Sequence, residues 1–275
     1  MSEENPTDYL RRLATAGEGP HDIAKAALML AALDHPGQSL EPYLAHLDEI
    51  ASASRGEASR LQQLEEIVRT LASLMTGRFG YDGDRLSYDD PRNADLMSVI
   101  DRRRGLPVAL GILYVHAARA AGCAASGLNT PGHFLLSLGF GSRQMLVDPF
   151  NGGSALDLEK LHAQPQLRGQ AASAELFVPE SVTDTDVLLR LQNNLKLRAT
   201  QAGEQTRAIE LAKRMVLIAP GRADLWLDLA RLNDASEALG AAREAYEFCL
   251  EIAKAGEPLH NEAALALATL KRRLN

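Results

Sequence analysis

"RRRGLPVALGILYVHAARAAG", Arg102–Gly122, is the stretch on which the fold turns. Three arginines lead into Gly-Leu-Pro. Proline suits the first helical position, because the N–H it lacks would have no helical partner there and its φ is already set. Leu106, Leu110, Leu113 and Ala117 then recur at helical spacing. Val108, Ile112 and Val115 make the other face apolar too. The spacing therefore predicts a helix over Pro107–Ala121 that is buried on most sides and stopped by Gly122. His116 lies mid-helix and reads as a locally satisfied residue.

Downstream, "CAASGLN" (Cys123–Asn129) is a short strand candidate and "TPG" (Thr130–Gly132) a turn. "HFLLSLGFGSRQMLVDPF" (His133–Phe150) reads as two strands around a glycine-rich turn. With the turn centred between Phe140 and Gly141, His133 faces Asp148, Leu135 faces Leu146 and Ser137 faces Gln144. Phe134 then meets Val147 and Leu136 meets Met145 on a wholly apolar face, the other face carrying the polar pairs. A carboxylate beside an imidazole orients the ring and favours its protonated form. Nucleophile-dependent sites position their base in this way. The plain alternative is a hydrogen bond that closes the end of a hairpin. Asn151-Gly152-Gly153 marks backbone that turns sharply or approaches something closely. The segment 154–180 reads as irregular, with at most one short helix.

Upstream, residues 6–77 read as a helical subdomain of three or four helices. "YDGDRLSYDDPRNADL" (Tyr81–Leu96) is rich in Asp, Gly, Pro and Asn and reads as a long structured loop. Asp84, Asp89, Asp90 and Asp95, with Tyr81 and Tyr88, have the chemistry to line a cleft or to hold a hard cation. Turn-forming Asp and Asn residues with local hydrogen bonds are the preferred reading. Arg102, Arg103 and Arg104 are expected to reach these aspartates and form a polar rim.

From about residue 184 the texture becomes alanine-rich and helical. Setting position 192 against 226 gives a repeat of 34: Leu195 aligns with Leu229, Ala208 with Ala242, Ala212 with Tyr246 and Met215 with Cys249. Trp226, Leu229, Ala242 and Tyr246 fall where a tetratricopeptide repeat places its packing residues, and "HNEAALALATLKRRL" has the look of a capping helix. An unrelated pair of helical hairpins is the alternative. The expected organisation is a domain over 1–180, with a helical subdomain at 6–77 and a core at 78–180, followed by helical repeats over 184–275.

Composition narrows the function classes. The chain has 275 residues, 46% hydrophobic and 24% charged, with a formal net charge of −7. That balance belongs to a globular protein and argues against nucleic acid as a partner. No apolar run approaches the roughly 20 residues of a membrane span. The start "MSEENPTDYLRRL" has no apolar core of signal-peptide length. Cys123 and Cys249 stand far apart without metal-ligand spacing, so neither a disulfide framework nor a zinc site is expected. The expectation is a cytoplasmic protein without cofactor or metal.

The blocks "FGYDGDRLSYDDPRNADLMSVIDRRRGLPVALGILY", "GLNTPGHFLLSL" and "VDPFNGG", followed by the helical tail, resemble the transglutaminase-like superfamily. The resemblance covers nearly the whole chain and points to the bacterial branch associated with the name "invasion regulator B". It implies an α+β fold: a helical subdomain, a transglutaminase-like, papain-like core with a small antiparallel sheet, and an all-α tetratricopeptide-like region. It also implies that His133 and Asp148 occupy the superfamily's His and Asp positions. Its cysteine nucleophile falls at Pro107, or at Val108 with a slip of one. A helix start stabilises a thiolate through free N–H groups and the helix dipole, and proline has no acid–base chemistry to replace it. Cys123 does not substitute, since six extended residues place its sulfur about 20 Å from His133; Cys123 and Cys249 both read as structural.

Two readings follow. One is a non-catalytic protein-interaction or regulatory module that takes a protein or peptide through the repeats and the cleft. The other is a hydrolase or transferase in which His133 and Asp148 act on water or an unrecognised nucleophile. Candidate cleft residues are Tyr88, Asp89, Asp90, Asn93, Arg103, Arg104, Asn129 and Asn151.

Overall fold

The computed structural model describes residues 4–17, 20–130, 133–156 and 180–274. Among these, 4–9 with 20–188 form one compact unit, and 10–17 with 189–274 a second. The expected turn at Thr130–Gly132 and the expected irregular segment fall largely on 131–132 and 157–179, outside the described residues.

The N-terminal helices are α1 (Pro6–Thr15), α2 (Ile23–Ala32), α3 (Glu41–Ala58) and α4 (Leu64–Ser73), which runs on into a π-helical turn over Leu74–Arg78. Local chemistry starts them. The Asp22 carboxylate accepts from the Lys25 N–H to cap α2, and Pro42 sits in the first turn of α3. The long loop is more ordered than the sequence suggests. Strand β1 (Asp82–Gly83) and a 3-10 turn at Pro91–Ala94 come first, then helix α5 (Leu96–Arg102), capped by the Asp95 carboxylate on the Ser98 N–H. Strand β2 (Arg104–Gly105) pairs in parallel with β1.

Helix α6 spans Pro107–Ala120, with proline at its start as expected. Every residue from Pro107 to Val115 is buried. Full burial of a Val, Leu or Ile side chain contributes roughly 1.5–3 kcal/mol, so this helix is a main source of the unit's stability. Gly122 (φ +85) ends it. Arg119 then fixes its C-terminal end, donating to the Ala125 carbonyl and making two bonds, of 2.7 and 2.8 Å, to the Asp184 carboxylate.

The sheet contains β3 (Ala124–Leu128), β4 (Leu135–Phe140), β5 (Arg143–Asp148), β6 (Ser154–Leu156) and β7 (Ser181–Val182), in the order β6-β5-β4-β3-β7, with antiparallel neighbours. Strand β6 corrects the expectation of irregular chain from residue 154. The hairpin register also differs from expectation. Phe140 pairs with Arg143 and Leu136 with Val147, so the turn centres between Gly141 and Ser142. Gly141 has φ +60, and a two-residue hairpin loop with glycine first accepts this backbone readily. The register moves by two residues, so each side chain keeps its face while changing its partner. The face expected to carry the polar pairs is mixed, since Leu128, Leu135, Leu146 and Leu156 form an apolar cluster there.

The second unit is helical. Part of α7 (Asp184–Gln201) is followed by α8 (Gln205–Ile218), α9 (Ala223–Ala235), α10 (Leu239–Ile252) and α11 (Pro258–Leu274), joined by short loops. Helices α8 and α10 begin and end 34 positions apart. The aligned pairs Leu195/Leu229, Ala208/Ala242, Ala212/Tyr246 and Met215/Cys249 are all buried. Trp226 stacks on Phe248 with centroids 4.6 Å apart and donates its indole N–H to the Pro220 carbonyl. Ion pairs join Lys196 to Asp228 and Arg231 to Glu262.

Candidate functional site

The imidazole of His133 precedes β4, and the carboxylate of Asp148 ends β5. In the observed register these are diagonal neighbours, not direct partners, and the ring reaches across: Nε2 lies 2.8 Å from Asp148 Oδ2. The Asp148 side chain is 3% exposed and that of His133 24%. Thr130 Oγ donates to the His133 carbonyl and steadies the backbone there.

Asp148 is held on several sides. Its Oδ1 accepts the backbone N–H groups of Phe150 and Asn151, capping the 3-10 turn Pro149–Asn151, and its Oδ2 also accepts the Asn151 amide at 2.6 Å. Burial alone would raise its pKa. The bonds from His133 and Asn151 outweigh that and leave the carboxyl below its ordinary range. Asn151 Oδ1 accepts in turn from Arg85 Nη2 at 2.8 Å. Arg85 also donates to the Phe150 carbonyl, pairs with Asp82 and stands over the Phe150 ring. The result is a connected series: His133, Asp148, Asn151, Arg85, Asp82.

Three close approaches hold this corner on α6 and β1. A β-carbon on Gly153 (φ +71) would lie 2.6 Å from the Tyr114 hydroxyl, and one on Gly83 2.5 Å from the Phe150 ring. A β-carbon on Gly111 would sink into the ring of Phe134, the neighbour of His133. The Asn-Gly-Gly signal thus corresponds to both a sharp turn and a close approach. The Tyr114 hydroxyl is buried and lacks a hydrogen-bond partner among the described residues. Burial first, then the charges of Asp148 and Asp82, keep that phenol protonated well above its usual range.

The first turn of α6, Pro107 to Leu110, is buried and carries neither a nucleophile nor an acid–base group. Cys123 flanks the far end of β3, where Ala124 pairs with Gly139, whereas Leu128 pairs with Leu135 near His133. It is buried, and burial raises its thiol pKa, the opposite of an activated cysteine. Cys249 is buried, with burial again the main cause of a raised pKa.

The remaining candidates scatter. Tyr88 is 44% exposed and meets Phe150 edge-on. Asp89 is exposed on the same loop, and Asn129 is exposed just past β3. Asp90 caps the 3-10 turn at Pro91 and pairs with Arg92. Asn93, expected on the cleft wall, is fully buried between the Ser87 carbonyl and Arg102, so packing removes it from any cleft. Of the arginine rim, Arg102 does reach a loop aspartate, Asp84, at 2.9 Å. Arg103 turns instead to Tyr81 and His46, and Arg104 to the Gly80 carbonyl. Asp84 accepts the Leu86 and Ser87 N–H groups, and Asp95 caps α5 and meets His35, so these acids have local roles. His116 donates Nε2–H to the Leu47 carbonyl at 2.9 Å. Sequence reasoning missed Arg85 and Gly111; a glycine inside an apolar helix was the available signal for the second.

Among the described residues no group of three or more His, Cys, Asp or Glu is arranged to hold a metal, and no helix is long and apolar enough to cross a membrane.

A family model described as "Transglutaminase-like superfamily" matches residues 41–193, from α3 into α7, including Pro107, His133 and Asp148. A "UPF0162 protein" of Xylella fastidiosa (strain Temecula1) is 28% identical over 234 residues, covering 83% of this chain and 83% of that one. A "UPF0162 protein" of Vibrio cholerae is 34% identical over 134 residues, covering 48% of this chain and 49% of that one. Human "F-box only protein 21" is 26% identical over 151 residues, covering 51% of this chain and 23% of that protein.

Proposed function

The chain belongs to the transglutaminase-like superfamily, and from that premise we propose that it is a non-catalytic member acting as a protein-interaction or regulatory module. One observation carries the reading. The helix start where the superfamily's thiol is expected is a buried apolar turn, Pro107–Leu110, while the His133–Asp148 pair opposite it in role is fully built. Without a thiolate, the covalent acyl intermediate of a cysteine enzyme has no atom on which to form.

The proposal includes a tetratricopeptide-like identity for the second unit, of the type found in the "invasion regulator B" branch. The 34-position offset of α8 and α10 supports it, as does burial at the aligned positions. Repeats of this kind offer a surface for a protein or peptide partner. Two unpaired cysteines and an acidic net charge suit a cytoplasmic protein that does not bind nucleic acid.

A second reading has its own support. His133 keeps access to solvent, and its carboxylate partner is held ionised, which are the properties of a general base. One assay separates the two. The purified chain is incubated with fluorogenic acyl amides and esters, with and without a primary amine acceptor. The interaction reading expects wild type and His133→Ala both to run at the buffer rate. Turnover above buffer that His133→Ala abolishes would establish the second reading and sink the first.

A further inference from the structure

A groove of about 660 Å³ lies along α3 and the end of α5, and neither His133 nor Asp148 lines it. Arg103 is one of its walls. This residue has left-handed backbone, φ 57, a conformation that a side chain with a β-carbon seldom adopts. Such positions persist where the surroundings fix them, and they concentrate at binding sites. Here Nη1 lies 2.5 Å from both the Tyr81 hydroxyl and His46 Nε2, and the guanidinium stands over the Tyr81 ring at 4.9 Å. His46 can accept that bond only with Nε2 unprotonated. Burial first, then Arg103, lowers its pKa, so the ring adds no charge to the groove.

Among the described residues the hydrogen bonds of the guanidinium run through Nη1 alone. Among the described residues Nε and Nη2 have no acceptor, and no carboxylate pairs with Arg103. The groove also contains Asp101, whose Oδ2 accepts the Tyr43 hydroxyl at 2.9 Å and which has no cationic partner among the described residues. Glu49, by contrast, pairs with Arg78 at 3.2 Å and stands 3.8 Å from His46 Nδ1. Pro42, Ala45 and Ile100 supply apolar lining. One uncompensated cation, one uncompensated anion and an apolar wall thus share a groove of small-molecule size.

We propose that this groove binds a small zwitterion with an apolar side chain, of the class of free apolar α-amino acids. The ligand carboxylate lies on the open side of the Arg103 fork, whose two N–H groups match its planar oxygens. The ammonium goes to Asp101, and the side chain lies on the Pro42–Ile100 wall. A peptide terminus shares half of this chemistry: its C-terminal residue keeps the carboxylate without the ammonium, and its N-terminal residue the reverse.

The test is calorimetric titration of the full chain with leucine, isoleucine, methionine and phenylalanine, each beside its N-acetyl acid and its free-amine carboxamide. The Arg103 Nε–H resonance is followed by NMR. At least one free amino acid should bind saturably and shift that resonance. Its acetylated and amidated forms should bind about tenfold more weakly or worse. Arg103→Lys, which keeps charge but not the fork, and Asp101→Asn should each weaken binding about tenfold. Arg55→Gln, on the exposed side of α3, should leave it unchanged. If Arg103→Lys does not fold, Asp101→Asn with the acetylated and amidated ligands still decides. No binding by any free amino acid overturns the proposal. So does equal binding of the N-acetyl acid or of the carboxamide, either of which would indicate a peptide terminus.

Discussion

The first turn of α6 and the corner that carries Asp148 are both buried, yet they use burial differently. From Pro107 to Leu110 every side chain is apolar, and the turn contributes packing alone. At Asp148 a buried carboxylate is surrounded by an imidazole, an amide and two backbone N–H groups. A helix start needs only proline and apolar neighbours, whereas a buried carboxylate requires every partner to stay.

The contrast can be strained from either side. The largest effect is expected on α6. Helix propensity alone would let Gly111→Ala stabilise by about 1 kcal/mol. The Phe134 ring occupies the space a β-carbon needs, so the sign reverses and about 3 kcal/mol is lost. Urea denaturation measures it; a stabilised variant would show that α6 is not packed as described.

Next in size is the polar corner. Asp148→Ala leaves two backbone N–H groups and the Asn151 amide without their acceptor, costing about 2 kcal/mol. Because folding lowers the Asp148 pKa, its contribution is present above the unfolded value of about 4 and is lost as pH falls through the folded value. Asp148→Asn should therefore flatten the acid limb of the stability profile below about pH 4. An unchanged acid limb would remove Asp148 from the account of acid stability.

Arg85→Ala should cost about 1 kcal/mol, because the half-exposed guanidinium is screened by water while its bonds to Phe150 and Asn151 are lost. Heat denaturation should show a modest loss; no loss would mean that the series ends at Asn151. Smallest is Tyr114→Phe. Removing a buried hydroxyl without a partner among the described residues should hold stability or raise it by up to about 1 kcal/mol. A loss would reveal a partner, such as a bound water, for that hydroxyl.

What was legible in the sequence depended on range. Helix α6 and the hairpin strands are patterns of neighbours, and apolar spacing reports neighbours well. His133 and Asp148 came into reach because both flank one hairpin, where even a register wrong by two residues keeps them on one face. The register itself depended on Gly141 taking positive φ as the first of two loop residues, which several glycine-rich turns would have allowed. Helix α5 was hidden by its length of seven residues and by the Asp- and Asn-rich stretch before it. Arg85 could not be found locally, since its partners Phe150 and Asn151 lie more than sixty residues away and no spacing rule links them. The destination of Arg103 was missed for the same reason: His46 and Tyr81 come from separate elements.

Pro107→Cys tests most directly the proposal that packing stands at the start of α6 where the superfamily's thiol is expected. The pH dependence of alkylation should be measured on this variant, alone and combined with His133→Ala. A thiol placed at a helix start and served by His133 should react with a midpoint well below the free-cysteine value of about 8.5, and His133→Ala should raise that midpoint. Burial of Pro107 would by itself lift the midpoint, so the contradicting result is a midpoint that His133→Ala leaves unchanged. It would mean that the helix start is not the vacated position.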